Sequence, residues 1–460
     1  MPEIDELRKK MEAITLEMIT LLKSRTDIAE EIGNIKNNLG INVTDETREI
    51  ELREKIIAEC KILNLDEKIA TKFLNFLLNE SVKVQSKDYQ THLTIFLKAK
   101  EMEAHGKKII HLEVGEPDFS PPQSVKNSLS EVYEKGFGKY GPAKGLGEFR
   151  KSISEFCNEH FNGGINSENV LVIPGARFGV FLAISSLLNP GDELIVIEPA
   201  WPAYRQCAIN AGVKVRTIKT TLETNWEPTI DQINSAINNN TKMIVLNYPN
   251  NPTGKILPEK LQSEIVDIAK QHNLFILSDE IYSNYSNKEW KSILSYKYKK
   301  SIITQSFSKS HSMTGYRIGY LISSEEIVNT LTKLQALCLT NVSEPIQFVA
   351  MNSMNEDVSS NSELIHERLE VLVDICKKMN LEFYTPDGSM YVFAKIKNRQ
   401  DNTTDLSHKL LENGLAIAPG EAFGDYSEFI RLSACIEKDS IIEGLNILSC
   451  LLYTSPSQRD

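Results

Sequence analysis

The run SFSKSHSMTGYRIG, residues 306–319, sets Lys309 among small hydroxyl side chains and places Arg317 eight positions on, with Gly315 and Gly319 beside it. A lysine amine can bond covalently to a carbonyl cofactor, and a guanidinium can hold a phosphate dianion through charge-assisted hydrogen bonds. Together they would tie down a small phosphorylated cofactor at both ends. The same letters also suit a basic surface loop, so the choice falls to the residues that accompany them.

That company is ordered. IPGAR (173–177), EPAWPAY (198–204), YPNNPTG (248–254), SDEIY (278–282) and SFSK (306–309) each close an apolar, β-branched run. The runs are NVLVI (169–173), ELIVI (193–197), KMIVLN (242–247), LFILSD (274–279) and SIITQSF (301–307). With amphipathic segments between them, they predict parallel strands joined by helical crossovers. Taken singly, G-A-R is a turn, N-P-T-G a β-turn and an aspartate after a strand a helix cap. Five polar clusters at successive strand ends lie where open α/β sheets bind their ligands.

On LEVGEPDFSPP, YGPAKG, NNPTG, SDEIY, SFSK, GYRIGY and FIRLSA, residues 91–450 resemble a class I aminotransferase of fold type I, dependent on pyridoxal 5′-phosphate. The resemblance implies a large parallel-sheet domain plus a small α+β domain, with LEFYTPDGSMYVFAKI (381–396) as a hairpin of the latter. It makes Lys309 the covalent anchor and proton carrier, and sets Asp279 against the pyridine nitrogen. Tyr282 and Asn251 then bond the cofactor's 3′-oxygen, and Trp201 stacks on its ring. Ser306, Arg317 and the backbone amides of Gly175 and Ala176 hold the phosphate, and Tyr140 reaches it from a second subunit. Arg431 takes the substrate α-carboxylate, with Gly115 on the loop over it. Arg177 has two readings: a cation for a second substrate carboxylate, or a surface arginine at a helix start.

The first ninety residues have a different texture. Ile4, Leu7, Met11, Ile14, Met18, Leu21, Leu22, Ile28, Ile32 and Ile35 keep a helical rhythm over 4–37. Two further helices are expected, through ETREIELREKIIAECKIL and, after an Asp66 cap, EKIATKFLNFLLNESVKVQ. On LRKK, SRTDIAEEIGNIK, TDETRE and ESVKVQ, residues 1 to about 88 resemble the all-α type of chorismate mutase. That resemblance implies Arg8, Arg25 and Arg48 on the substrate carboxylates, Lys36 and Gln85 at the ether oxygen, and Glu49 on the hydroxyl. Asp45 and Ser81 complete the set. A pericyclic rearrangement needs no nucleophile, only a selected conformer and charge complementary to the breaking bond. Arg8 and Arg25 are separated by roughly 25 Å along one helix. If both touch one substrate, one comes from a second chain, so an intertwined dimer is expected.

Composition bounds the rest. The 460 residues carry 41% hydrophobic and 25% charged side chains and a net charge of −11, ordinary for a globular chain of two or three domains. The acidic balance argues against nucleic acid; residues 1–90 hold 14 Lys+Arg against 18 Asp+Glu. No run of 18 apolar residues exists, and seven scattered cysteines without a C-x-x-C pair fit reduced thiols with no disulfide or zinc framework. A cytoplasmic protein without metal is expected, with no apolar leader at its start. The expected domains are 1–90, 91–450 and a non-native tail, 451–460, since LLYTSPSQRD resembles a translated adapter sequence.

The function expected is a bifunctional one in phenylalanine and tyrosine biosynthesis. Chorismate becomes prephenate, and prephenate or a derived aromatic 2-oxo acid is aminated from a donor such as glutamate or aspartate. Alternatives are an aspartate-type aminotransferase with a regulatory helical module, and a transcription regulator built on an aminotransferase-like domain. Other chemistry of the same cofactor, such as β-elimination or decarboxylation, uses the same Lys309, Asp279 and Arg317. A homodimer or larger homo-oligomer is expected.

Overall fold

The computed structural model describes residues 2–39, 46–85, 92–397 and 402–453. Asp45 lies outside them, as do residues 454–460 of the tail and, His92 apart, the join expected at 86–92. The chain forms two compact units, Met1–Tyr89 and Gln90–Asp460.

The first unit is all helical: Pro2–Leu39, Glu46–Leu63 and Glu67–Gln85. The 38-residue first helix packs on the third, as does the second. The Lys68 amide donates to Asp66 Oδ1 at 2.8 Å, the side-chain cap that starts the third helix. Among the described residues Ala29, Cys60 and Leu74 are buried, while Leu7, Met11, Ile14, Met18 and Leu21 of the first helix stay exposed. Its apolar rhythm serves a face that one copy of the chain leaves open.

In the second unit, seven strands form one sheet. Their order is Val170–Ile173, Gly319–Ile322, Ser301–Ser306, Phe275–Asp279, Thr241–Leu246, Glu193–Glu198, Lys214–Lys219. Alternate residues enter two cores, one on each face. Val172, Ile195, Ile244, Ile276 and Ile303 lie in one; Leu171, Val196, Val245, Leu277 and Ile302 lie in the other. The period of two explains why the runs are apolar throughout: both faces are covered by helices.

The expectation of a parallel sheet needs one correction. Gly319–Ile322 runs antiparallel between Val170–Ile173 and Ser301–Ser306. Its N-terminal end therefore lies beside the C-terminal ends of its neighbours, which brings Arg317 to the side of the sheet where Lys309 sits. Gly319 is required there, since a Cβ would lie 2.5 Å from the Gln305 carbonyl oxygen.

A smaller four-stranded sheet follows the order Ala418–Pro419, Phe429–Ser433, Tyr391–Lys395, Glu382–Phe383. The expected hairpin is present, pairing Ala394 with Phe383. Helices Ser359–Lys378, Thr403–Glu412 and Lys438–Tyr453 pack on this part. The last carries Leu451 and Leu452 against its core. Among the described residues, no helix is long and apolar enough to cross a membrane.

Candidate active site

A cleft of about 240 Å³ opens at the strand ends, lined by Gly115, Ala176, Arg177, Trp201, Asn251, Asp279, Tyr282, Ser306, Lys309, Arg317 and Arg431 among others. It brings together nearly all the residues singled out in the second unit.

Asp279 ends its strand buried, accepting hydrogen bonds from Tyr204 Oη at 2.7 Å and Thr304 Oγ1 at 3.2 Å. Burial pushes its carboxyl up to about 6 against the pull of those two hydroxyls. Both donors are neutral, so the carboxylate still lacks a cationic N–H partner of the kind a pyridinium offers. Asn247 holds the segment from behind, donating to the Asp279 carbonyl at 2.9 Å and accepting from the Asn251 amide at 3.0 Å.

Lys309 follows Ser306 in a one-turn helix, Phe307–Ser310, and its amine donates to the Gly115 carbonyl. Burial lowers its pKa, which favours the neutral amine that proton transfer requires. Ser306 Oγ caps this turn, accepting from the Ser308 amide at 3.1 Å.

Arg317 donates to the Thr314 carbonyl at 2.7 Å and the Pro174 carbonyl at 3.3 Å, facing the start of the helix Ala176–Leu187. Gly175, at φ 87°, leaves the gap between them open; a Cβ there would lie 2.5 Å from Arg317 Nη2. One expectation changes here. The Gly175 amide already donates to the Ile173 carbonyl at 2.8 Å, so this glycine contributes space rather than a donor.

Arg431 is 1% exposed, on the strand Phe429–Ser433. It donates to Asn251 Oδ1 at 2.8 Å and to the Glu113 carbonyl, and lies 4.3 Å from the Tyr391 ring centre. Its Nε has no acceptor among the described residues. The Tyr391 hydroxyl meets Tyr282 Oη at 2.9 Å, and Asn251 Nδ2 reaches that same hydroxyl at 3.5 Å. Arg177 lies over the Trp201 ring at 5.0 Å, inside the cleft lining, which favours a ligand-facing cation over a plain surface arginine. Gly175 and Tyr140 are not in the cleft lining, and Tyr140 is 87% exposed.

Sequence reasoning missed Tyr204, Tyr391, Asn247 and Thr304. All four lie within the runs quoted above, but only the fold brings the Tyr204 and Tyr391 hydroxyls onto Asp279 and Tyr282.

In the helical unit, Arg25 donates to the Leu77 carbonyl at 2.8 Å and to the Ser81 hydroxyl. Arg8 pairs with Asp5 at 3.3 Å and Arg48 with Glu51 at 2.8 Å, both exposed. Lys36 and Glu49 are half-buried. The side chain of Gln85, like Asp45, is outside the described set. Arg8 and Arg25 share one continuous helix, so they do not converge within a single copy.

The comparisons with known proteins agree with this geometry. The family model for aminotransferase class I and II matches residues 107–447, and the chain belongs to that family. A second model, chorismate mutase type II, matches residues 7–86, so the chain joins an isomerase domain to a transferase domain. An aspartate aminotransferase of Thermotoga maritima is 34% identical, covering 76% of this chain and 93% of its own. A crystal structure of an aspartate aminotransferase from Thermotoga maritima, 33% identical, superposes with a TM-score of 0.75 over 78% of this chain and 96% of that one. An aromatic aminotransferase of Pyrococcus horikoshii, 28% identical, gives 0.72 over 75% and 95%.

Pyridoxal 5′-phosphate is the cofactor of this fold. The residues present fit it: a buried carboxylate lacking a cationic donor, a lysine lining the same cleft, and a guanidinium, Arg317, that Gly175 allows to lie against the start of the helix Ala176–Leu187.

Proposed function

We propose that the chain is a bifunctional enzyme, converting chorismate to prephenate in its helical unit and aminating prephenate or a derived aromatic 2-oxo acid in the other. The observation that carries the second half is Arg431, buried with Nε unpaired in the same cleft as Lys309 and Asp279. A guanidinium so held is poised for a bidentate pair with an α-carboxylate. When bound, pyridoxal 5′-phosphate supplies an electron sink for the substrate Cα carbanion.

The chain's own residues do the rest. Lys309 anchors the cofactor and its Nζ carries the proton at the substrate Cα. Asp279 holds a proton on the ring nitrogen, oriented by Tyr204 and Thr304. Asn251 and Tyr282 bond the 3′-oxygen, and Trp201 covers the ring. Arg317, Ser306 and the Ala176 amide take the phosphate, with Tyr140 of a second copy. Arg177 is the cation for a second carboxylate, which suits prephenate, glutamate and aspartate alike.

In the helical unit, Arg25 and Arg48 take the substrate carboxylates together with Arg8 of a partner copy, Lys36 and Gln85 face the ether oxygen and Glu49 binds the hydroxyl, with Asp45 and Ser81 completing the set. Exposure of Leu7 at 64% and Met11 at 68% supports that second copy. The domains are 1–90 and 91–450.

A narrower reading, an aspartate-type aminotransferase with a sensing helical unit, is supported by the names of relatives such as the Thermotoga maritima enzyme. The two are separated by loading the enzyme, converting it to its amine form and mixing it with prephenate, phenylpyruvate, 4-hydroxyphenylpyruvate and oxaloacetate while following the cofactor's absorbance. Rapid return with prephenate or an aromatic acid supports the proposal. Return with oxaloacetate alone rejects it.

A further inference from the structure

Just before the Gly115 loop, His111 of the strand Ile110–His111 forms a trio with Glu103 and Glu113. His111 Nδ1 lies 2.8 Å from Glu113 Oε1, and its Nε2 lies 3.1 Å from Glu103 Oε1. Both ring nitrogens thus face carboxylates. A neutral imidazole donates from one nitrogen only, so two ionised acceptors call for the imidazolium.

Glu113 makes the arrangement consequential. Its side chain is fully buried at 0% exposure, and its Oε2 has no hydrogen-bond partner among the described residues. A buried carboxylate without a cation is costly, and His111 is the cation in contact with it. The Glu113 backbone carbonyl, in turn, receives the Arg431 guanidinium, and two residues on the Gly115 carbonyl receives Lys309.

We infer that His111 is a positioning residue whose charge, through Glu113, sets the main chain that orients Arg431, so that carboxylate binding in the cleft is coupled to protonation at a site outside it. This rests on Arg431 being the carboxylate site. With His111 charged, Glu113 is neutralised in place and its carbonyl stays aimed at Arg431. Once His111 loses its proton, Glu113 is left buried without its cationic partner, and loss of that contact disturbs residues 113–115.

The charged groups around the trio are few. Lys100 donates to Glu103 Oε2 at 2.8 Å from the helix His92–Ala104, whose Phe96 ring lies 6.2 Å from that of His111. Lys108 pairs with Glu443 of the last helix at 3.0 Å, and Lys107 turns to the Glu412 carbonyl. The partner strand Leu415–Ala416 brings no charge. Hydrogen bonding to Glu113 raises the His111 pKa, against a lowering by burial. A raised histidine pKa means the charged state is complete below the ordinary value and is lost as pH rises through the folded one.

The test uses the intact protein and 3-phenylpropionate, a carboxylate that cannot react, titrated calorimetrically between pH 5.5 and 9. Binding is expected to weaken roughly fivefold as His111 deprotonates. His111→Gln should show the weaker binding throughout, without that step. Glu113→Gln, which removes the buried charge, should bind tightly throughout and also lack the step. The step is assigned to His111 by matching its midpoint to the titration of the imidazole. NMR of the imidazole, assigned by its loss in His111→Gln, should give a pKa above 6.5. A step that persists unchanged in Glu113→Gln, or a His111 pKa at or below 6.5, overturns the inference. Loss of binding at every pH in Arg431→Ala is expected of the carboxylate site itself. Binding unaffected by that change would reject the underlying reading instead.

Discussion

At the scale of single residues, the cleft is built from groups that are costly in isolation. Asp279 is the clearest. Its carboxyl is raised to about 6 by burial, so between the ordinary aspartate range and pH 6 the unfolded chain ionises while the native one does not. Stability falls across that window, and above it the ionised carboxylate costs at most about 3 kcal/mol. Asp279→Asn keeps an acceptor for Tyr204 and removes the charge. The cofactor-free variant should therefore melt above wild type at pH 8 and level with it at pH 4, by calorimetry. Cofactor retention should fall on the order of a hundredfold, because the ring nitrogen loses its ionic partner. A variant that keeps its cofactor through dialysis would remove Asp279 from that role.

Arg431 invites a complementary change. Lysine preserves the charge but not the planar fork that spans Asn251, Glu113 and a substrate. Arg431→Lys should lower kcat/KM for every 2-oxo acid by about a hundredfold, mostly through KM, in steady-state kinetics. Equal loss at saturating substrate would place Arg431 in the chemical step instead.

Elements decide how much of this could be read from letters. The apolar runs ending in polar clusters were legible because both sheet faces are covered, which leaves no alternation to confuse the reading. Lys214–Lys219 was passed over, since at the sheet edge KVRTIK mixes charge with apolar residues and lacks the continuous apolar run that marked the others. Gly319–Ile322 was seen as a motif but not as a strand, because four residues inserted antiparallel announce themselves only through their neighbours. Tyr204 and Tyr391 escaped for the same reason: their partners lie 75 and 109 residues away.

The two glycines flanking Arg317 turn this into a measurement. A Cβ on Gly319 would strike the backbone of Gln305, at 2.5 Å from its oxygen, whereas a Cβ on Gly315 meets nothing within 4 Å. Gly319→Ala should cost about 2–4 kcal/mol in denaturant unfolding and Gly315→Ala within about 0.5 kcal/mol of nothing. Similar effects for both would mean the glycines serve a local turn and not the close approach of strands.

For the whole molecule, the argument is about symmetry. The first helix exposes Leu7, Met11, Ile14, Met18 and Leu21, an apolar face too long to leave open in water. Its two arginines, Arg8 and Arg25, sit too far apart to serve one substrate from one copy. Both facts point to a second chain laid along the same helix. Tyr140, exposed and outside its own cleft, asks the same of the other unit. A single homodimer satisfies both only if the two-fold axes coincide; otherwise the chains must build tetramers or longer arrays. Replacing Met11 and Ile14 together by glutamate puts charge on the apolar face without touching a proposed site residue. That variant should lose at least about 90% of mutase activity, because Arg8 leaves each site with the partner helix. Its aminotransferase activity should persist, as the Tyr140 contact belongs to the other unit. Light scattering then separates the arrangements: a wild-type tetramer that falls to a dimer in the variant has distinct axes, while a dimer that stays a dimer has been holding both interfaces on one.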